Sequence, residues 1–244
     1  MTPTFAPSGA WHFPSTILQP QDHSLFQRQP GVLTLTEGDL PDPETLTAWA
    51  NANHIRAIFN PADHHTTWLT PIRIRPCEPE DAPLAAGVVE QVFTDYGFTW
   101  DDSDYFQDLN ELPGSYPDGF WVAEQDGHIV GVGGLELHPM PFPNPGRLVQ
   151  IDQETRIGGT QGELVRLYVL ASARRQGIAR HLCECIMSEA RHRQCHALEI
   201  WSDKLFQEAH QLYEKLGAHR IGERICPDPD QSPEWGYLLP LNPA

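Results

Sequence analysis

Two hydrophobic periods meet in the second half of the chain. From Leu164 to Leu170 every position except Arg166 is apolar, β-branched or aromatic, which predicts a largely buried strand of about seven residues. From Ile178 the spacing changes. Apolar residues recur at 178, 182, 186 and 190, with Ala179, Cys183 and Met187 beside them, the pattern of one face of an amphipathic helix. Between the two lies Ala171 to Gln176, small or basic throughout, so the turn sits at a helix N-terminus.

The same reading gives the remaining elements. Ile72 to Arg75 predicts a strand, and Pro79-Glu80-Asp81 opens a helix whose stripe runs through Leu84, Val88, Val92 and Phe93. Phe120 to Glu124 and Ile129 to Leu137, split by Asp126-Gly127, form a hairpin pattern. Gly131, Gly133 and Gly134 in its second strand predict close approach of another element or a bend. His138 to Gln161 is rich in Pro and Gly and long for a connection between strands, with Leu148 to Ile151 as a candidate extra strand. Ala197 to Trp201 is a strand, Ser202 or Asp203 opens a helix that Gly217 closes, and Arg220 to Ile225 with Trp235 to Leu239 predict a closing pair.

Residues 1–70 differ from the rest. They hold eight prolines, two arginines and six acidic residues, and Met1 to Pro30 shows no period, which predicts a poorly ordered or surface-draped lead-in. Val32 to Leu35 and Ile55 to Phe59 read as strands and Pro43 to Asn53 as a short helix, so the segment is a Pro-rich extension or a small appended subdomain. The main domain then runs over 71–244. His64-His65 has no third ligand nearby, and no metal is expected.

Composition narrows the partners. A formal charge of −17 and a pI near 4.9 argue against nucleic acid and anionic membranes. No window reaches about 18 continuous apolar residues, so no spanning segment is predicted, and Met1 to Phe13 lacks a secretory pattern. Cys77, Cys183, Cys185, Cys195 and Cys226 form no paired CxxC, which fits a reducing, cytoplasmic setting. Six of the 16 basic residues (Arg166, Arg174, Arg175, Arg180, Arg191 and Arg193) cluster around the central turn. An acidic chain that gathers arginines there is expected to bind an anion there, although a solvated helix face explains Arg191 and Arg193 and could explain Arg180.

The turn has the chemistry for it. The first N–H groups of a helix lack internal partners and the helix dipole favours negative charge, so a phosphate is a natural guest. Gly177 lets the backbone come close, Ala179 keeps the next turn small, and Arg174 and Arg175 add charge.

Arg174-Arg175-Gln176-Gly177-Ile178-Ala179 resembles the Gln/Arg-x-x-Gly-x-Gly/Ala signature of the GNAT superfamily of N-acyltransferases. Ala209-His210-Gln211-Leu212-Tyr213-Glu214-Lys215-Leu216-Gly217-Ala218 resembles that superfamily's A-x-x-L-Y-x-x-x-G-F segment, departing at Ala218. The resemblance covers roughly Ile72 onward. It implies an α/β fold with a central, mostly antiparallel mixed sheet flanked by helices, in which the fourth and fifth strands splay to admit the pantetheine of acetyl-CoA. It also implies that the amides of 174–179 hold the pyrophosphate and that backbone N–H groups near Val169 and Leu170 polarise the acetyl carbonyl.

Two side chains take roles from the resemblance. Acyl transfer to an amine requires a proton to leave the ammonium and one to reach the departing thiolate. Glu163 matches a family general base, best served by burial that raises its pKa; a solvated strand-end carboxylate or a substrate ligand stays open. Tyr213 matches the family's proton donor to sulfur, with a core tyrosine on the stripe of Phe206, Ala209, Leu212 and Leu216 as the competitor. Cys183 and Cys185 have no activating neighbour, so direct transfer in a ternary complex is expected. Asp95, Asp101, Asp102, Asp104, Asp108, Glu111 and Asp118 either select a cationic amine or form a solvated loop. The acceptor is expected to be a small-molecule amine, with a protein amine or a non-catalytic acyl-CoA sensor as alternatives, and a homodimer is left open.

Overall fold

A computed structural model describes 4–5, 10–13, 32–35, 55–59 and 67–241 save for 102, 103 and 126, with side chains from Ile72 onward, that of 104 aside. The helix expected over Pro43 to Asn53, most of the lead-in, and His64-His65 lie outside the described residues, as does Asp126 of the hairpin turn.

The strands are β1 (Thr4–Phe5), β2 (Ala10–Phe13), β3 (Val32–Leu35), β4 (Ile55–Phe59), β5 (Thr67–Pro76), β6 (Phe120–Gln125), β7 (His128–Leu137), β8 (Leu148–Ile151), β9 (Glu154–Ile157), β10 (Gly162–Val169), β11 (Ala197–Asp203), β12 (His219–Ile225) and β13 (Pro233–Pro240). The helices are α1 (Ala82–Tyr96), α2 (Ile178–His192) and α3 (Gln207–Lys215). Eight strands form the main sheet in the order β12-β13-β11-β10-β7-β6-β5-β4. Within it β10 and β11 run parallel and the other neighbours antiparallel, the mixed sheet expected of the resemblance.

The strand expected from Ile72 begins at Thr67, because its first half pairs with β4 and its second with β6. The 70/71 boundary therefore falls inside a strand.

Helices cover both faces. Val122 and Val132 pack with Ala85, Val88, Val89 and Phe93 of α1, whose buried stripe omits Leu84, 58% exposed in the first turn. Across the sheet, Ala123 and Val169 pack with Ile178 and Leu182 of α2. Farther along that face Ile186, Met187 and Ala190 join Leu164, Leu198, Ile200 and Tyr213. The glycines of β7 allow this approach: a Cβ on Gly131 would lie 3.1 Å from Ile178 Cγ2, and one on Gly133 3.1 Å from Ile186 Cδ1.

Two elements shift from expectation. β11 continues through Asp203, whose carboxylate accepts the Leu205 amide at 2.6 Å, so α3 starts only at Gln207. Such a side-chain turn competes with helix initiation. The long 138–161 segment holds β8 as expected and β9, which closes it into a hairpin.

Candidate active site

The site begins where β10 and β11 part. They pair only at Glu163↔Glu199 and Leu164↔Ile200. Beyond that rung, two residues of β10 (Arg166 and Leu167, between Val165 and Tyr168) stand opposite one of β7 (Gly133, between Gly134 and Val132), with Arg166 at φ 52°. An extra residue bends the strand that carries it. Meanwhile β11 stays on β13 through Asp203↔Glu234, so the two strands diverge. A cavity of about 460 Å³ opens between them, bordered by Leu164, Val169, Trp201, Tyr213 and the 177–180 turn.

The turn is shaped for an anion. Gly177 caps α2 at φ 80°, ψ −4°, and Arg175 precedes it at φ 62°. This bends the chain so that the unpartnered N–H groups opening α2 border the cavity at Gly177, Ile178 and Ala179. The arginines contribute less directly than expected. Arg174 donates from Nε to the Val169 carbonyl at 3.1 Å and lies over the Tyr96 ring at 5.4 Å. Arg175 is 83% exposed beside Glu208, and Arg180 bonds Glu184 at 2.9 Å. Gln176 turns away from the cavity: it donates to Ser172 O and accepts from Gln125 Nε2.

Of the two amides assigned to the acetyl carbonyl, one is corrected. Leu170 donates to Val130 O at 2.9 Å, and its N–H is therefore spent within the sheet. Antiparallel pairs alternate between bonded and non-bonded rungs. Val169, the next rung, opposite Gly131, turns its N–H away from β7 and toward the gap.

A second cavity, about 480 Å³, meets the first at Leu164, Arg166, Tyr168 and Trp201. The β8–β9 hairpin walls it through Glu154, Thr155 and Arg156. None of the described acidic residues from Asp95 to Asp118 borders it. Two of them serve the fold: Asp108 pairs with Arg166 at 2.7 Å and Asp118 accepts the Leu137 amide at 2.9 Å.

Glu163 borders this second cavity, buried, with Arg156 Nη2 at 3.0 Å and Arg224 Nη2 at 3.9 Å. Burial pushes its carboxyl up to about 7, against the pull of Arg224 and Arg156 and with the help of Glu199 and Glu136. A carboxylate with that pKa can take and release a proton near neutrality.

Tyr213 borders the first cavity and is 3% exposed. Burial raises its hydroxyl well above the ordinary tyrosine range, and Ser202 hydrogen bonds to it. It stays protonated, able to donate, while packing in the core as its stripe foretold.

Several residues of the site escaped the sequence reading. Arg156, Arg224, Glu199 and Glu136 are scattered over four elements. Glu199 had a signal, a lone charge inside the apolar strand Ala197 to Trp201; it is fully buried and accepts from Arg156 Nε (2.7 Å), Ile157 N (2.7 Å) and Trp201 Nε1 (3.1 Å).

Residues 86–218 match the family model described as acetyltransferase (GNAT) family. YjgM of Escherichia coli K12, an uncharacterized N-acetyltransferase, is 31% identical over 147 residues, covering 58% of this chain and 78% of its own. N-acetyltransferase 8 of Rattus norvegicus is 36% identical over 106 residues, 43% of this chain and 41% of its own, so the chain spans less than half of that relative. Among solved structures, a GNAT-family acetyltransferase from Staphylococcus aureus Mu50 aligns with a TM-score of 0.53 at 17% identity, over 70% of this chain and 99% of its own. Salmonella typhimurium yncA, solved with its cofactor acetyl-CoA, aligns at 0.51 and 15% identity, over 70% and 94%. These two likenesses concern the fold. Among the described residues no helix is long and apolar enough to cross a membrane.

Proposed function

Because the chain belongs to the GNAT family of acetyltransferases, we propose that it transfers the acetyl group of acetyl-CoA to a primary amine of a small molecule, by direct attack with both substrates bound. The observation that carries this reading is Glu163: a carboxyl pushed to about 7, bordering a cavity at the rung where β10 and β11 part.

Acetyl-CoA supplies the activated acetyl thioester. The residues fit such a guest: the left-handed backbone at Gly177 presents the first amides of α2 for the pyrophosphate, and the gap between the strands has room for an extended chain. The Val169 N–H faces that gap, suited to polarising a carbonyl oxygen. On the other side, Glu163 removes the ammonium proton that otherwise masks the acceptor lone pair. Tyr213 holds a proton on the first cavity's wall, where a departing sulfur can take it.

The thiols support direct transfer. Cys226 borders both cavities, but burial pushes it up to about 12, so it carries almost no thiolate at neutral pH. Cys183 is pushed equally high by burial in the core. The hairpin wall of the second cavity favours a small acceptor over an open peptide groove.

Thiol release from acetyl-CoA with a panel of amines, alongside calorimetric binding of acetyl-CoA, tests the proposal. Turnover with a small amine is the expected result. Tight binding of acetyl-CoA without turnover on any amine would refute it in favour of an acyl-CoA sensor.

A further inference from the structure

Arg166 is built unlike the other cations of the site. It interrupts an otherwise apolar strand, and its φ of 52° belongs to a region that side-chain-bearing residues adopt at a cost of about 1 kcal/mol or more. The bulge re-aims the side chain into the junction of the two cavities, both of which it borders.

Its hydrogen bonding is lopsided. Nε and Nη2 donate to Asp108 at 2.9 and 2.7 Å, Nε also reaches the Tyr116 hydroxyl at 3.4 Å, and Nη2 donates to the Tyr105 carbonyl at 2.5 Å. The guanidinium lies 4.5 Å from the Tyr105 ring centroid. These contacts fix its orientation. Nη1, with two N–H groups, is buried and has no hydrogen-bond partner of normal geometry among the described residues, although the Tyr168 hydroxyl also interacts with this guanidinium. Burying an unmet charged donor is expensive, and the expense persists where a guest completes the shell.

We propose that Arg166 Nη1 receives a carboxylate of the acceptor, so that the amine acetylated by this protein is an amino acid. The inference rests on the acetyltransferase reading and adds the substrate class. Glu163 and Arg166 stand three residues apart on β10 and border one cavity, one able to take the amine's proton and the other, already paired with Asp108, left with one nitrogen that has no acceptor. A zwitterion meets both needs. A single nitrogen suits one carboxylate oxygen, whereas a phosphate would leave most of its oxygens without donors. The phosphates of acetyl-CoA have their own cradle at the α2 turn.

Matched amines decide the matter without altering the protein. At saturating acetyl-CoA, α-amino acids of small, aliphatic and aromatic type would be compared with their decarboxylated amines and methyl esters. A charge-assisted bond predicts a preference for the carboxylate of about 10- to 100-fold in kcat/KM, expressed mainly in KM. The pair Arg166→Gln with Asp108→Asn, which leaves neither partner as a lone buried charge, is expected to erase that preference and leave acetyl-CoA affinity unchanged. Equal turnover of decarboxylated amines overturns the carboxylate while sparing the acetyltransferase. A several-fold loss of acetyl-CoA affinity in the double variant also overturns it, by giving Arg166 to the cofactor. Failure of every amine overturns both.

Discussion

Replacing Glu163 by Gln keeps the shape of the side chain and removes its ability to accept a proton. In the native protein the carboxyl titrates near 7, so about half of it is ionised at pH 7 and about a tenth at pH 6. The kcat/KM of the unmodified protein is therefore expected to rise about tenfold from pH 6 to a plateau above 8. Glu163→Gln is expected to lose about 10²- to 10⁴-fold on the plateau and to lose this acid limb. Acetyl-CoA affinity is expected to hold, because Glu163 borders the cavity away from the α2 turn. Stability gives an independent readout. The folded protein holds this proton up to about 7, the unfolded chain only to its ordinary 4.5, so folding is favoured below 4.5 and that contribution is lost as pH rises through 7. The displacement corresponds to about 3 kcal/mol, visible as a pH-dependent difference between the urea unfolding of the two proteins. Retention of the acid limb in Glu163→Gln, or a loss below tenfold, would refute the base assignment.

Three further outcomes follow from the same geometry. Arg224→Met removes the cation that pulls hardest on Glu163, so the acid limb is expected to move above 7 by about one pH unit; a limb that stays put contradicts the electrostatic account. Tyr213→Phe deletes a buried hydroxyl and is expected to lower kcat on the order of 10²-fold with acetyl-CoA affinity intact, whereas a purely structural tyrosine would cost about 1 kcal/mol of stability and little rate. Gly177→Ala forces a Cβ into the left-handed region at φ 80°, costing about 1–2 kcal/mol and weakening acetyl-CoA by roughly tenfold in calorimetry.

Local pattern carried α2 and its turn into the sequence almost whole. The buried face of α2 (178, 182, 183, 186, 187 and 190) repeats the apolar period, with His181 added and Ala179 left half-buried, because a helix packed on a sheet must show one face. The Gly131 and Gly133 pattern was equally legible, since only a bare backbone admits α2 so close. What sequence could not supply were contacts made across the fold. Arg156 reaches Glu163 and Glu199 from a hairpin in the long 138–161 segment, and no period marks such a meeting. The acidity of Asp95 to Asp118 could be read as substrate chemistry or as a solvated loop, yet Asp108 serves a buried arginine 58 residues away. The Leu170 amide failed for a related reason: which N–H faces the gap depends on pairing register with β7, and the bulge at Arg166 resets it.

That bulge and the last paired rung together explain how one sheet holds two unlike carboxylates side by side. Glu163 and Glu199 face each other across β10 and β11, and like charges opposite one another are unfavourable. Arg156 bridges both, but unequally, at 2.6 Å to Glu199 and 3.0 Å to Glu163. Burial opposes ionisation of Glu199, yet hydrogen bonds from His138, Arg156, the Ile157 amide and Trp201 hold its pKa below the ordinary range. Glu163 receives no such shell, and burial with the neighbouring Glu199 charge pushes it up. One carboxylate becomes a fixed anion and the other a proton acceptor. The division arises where the strands separate: Glu199 is fully buried under the hairpin's Arg156 and Ile157, while Glu163 opens on the second cavity. The opening proposed to admit a cofactor chain thus also leaves beside it the one carboxyl of the pair that is free to exchange its proton.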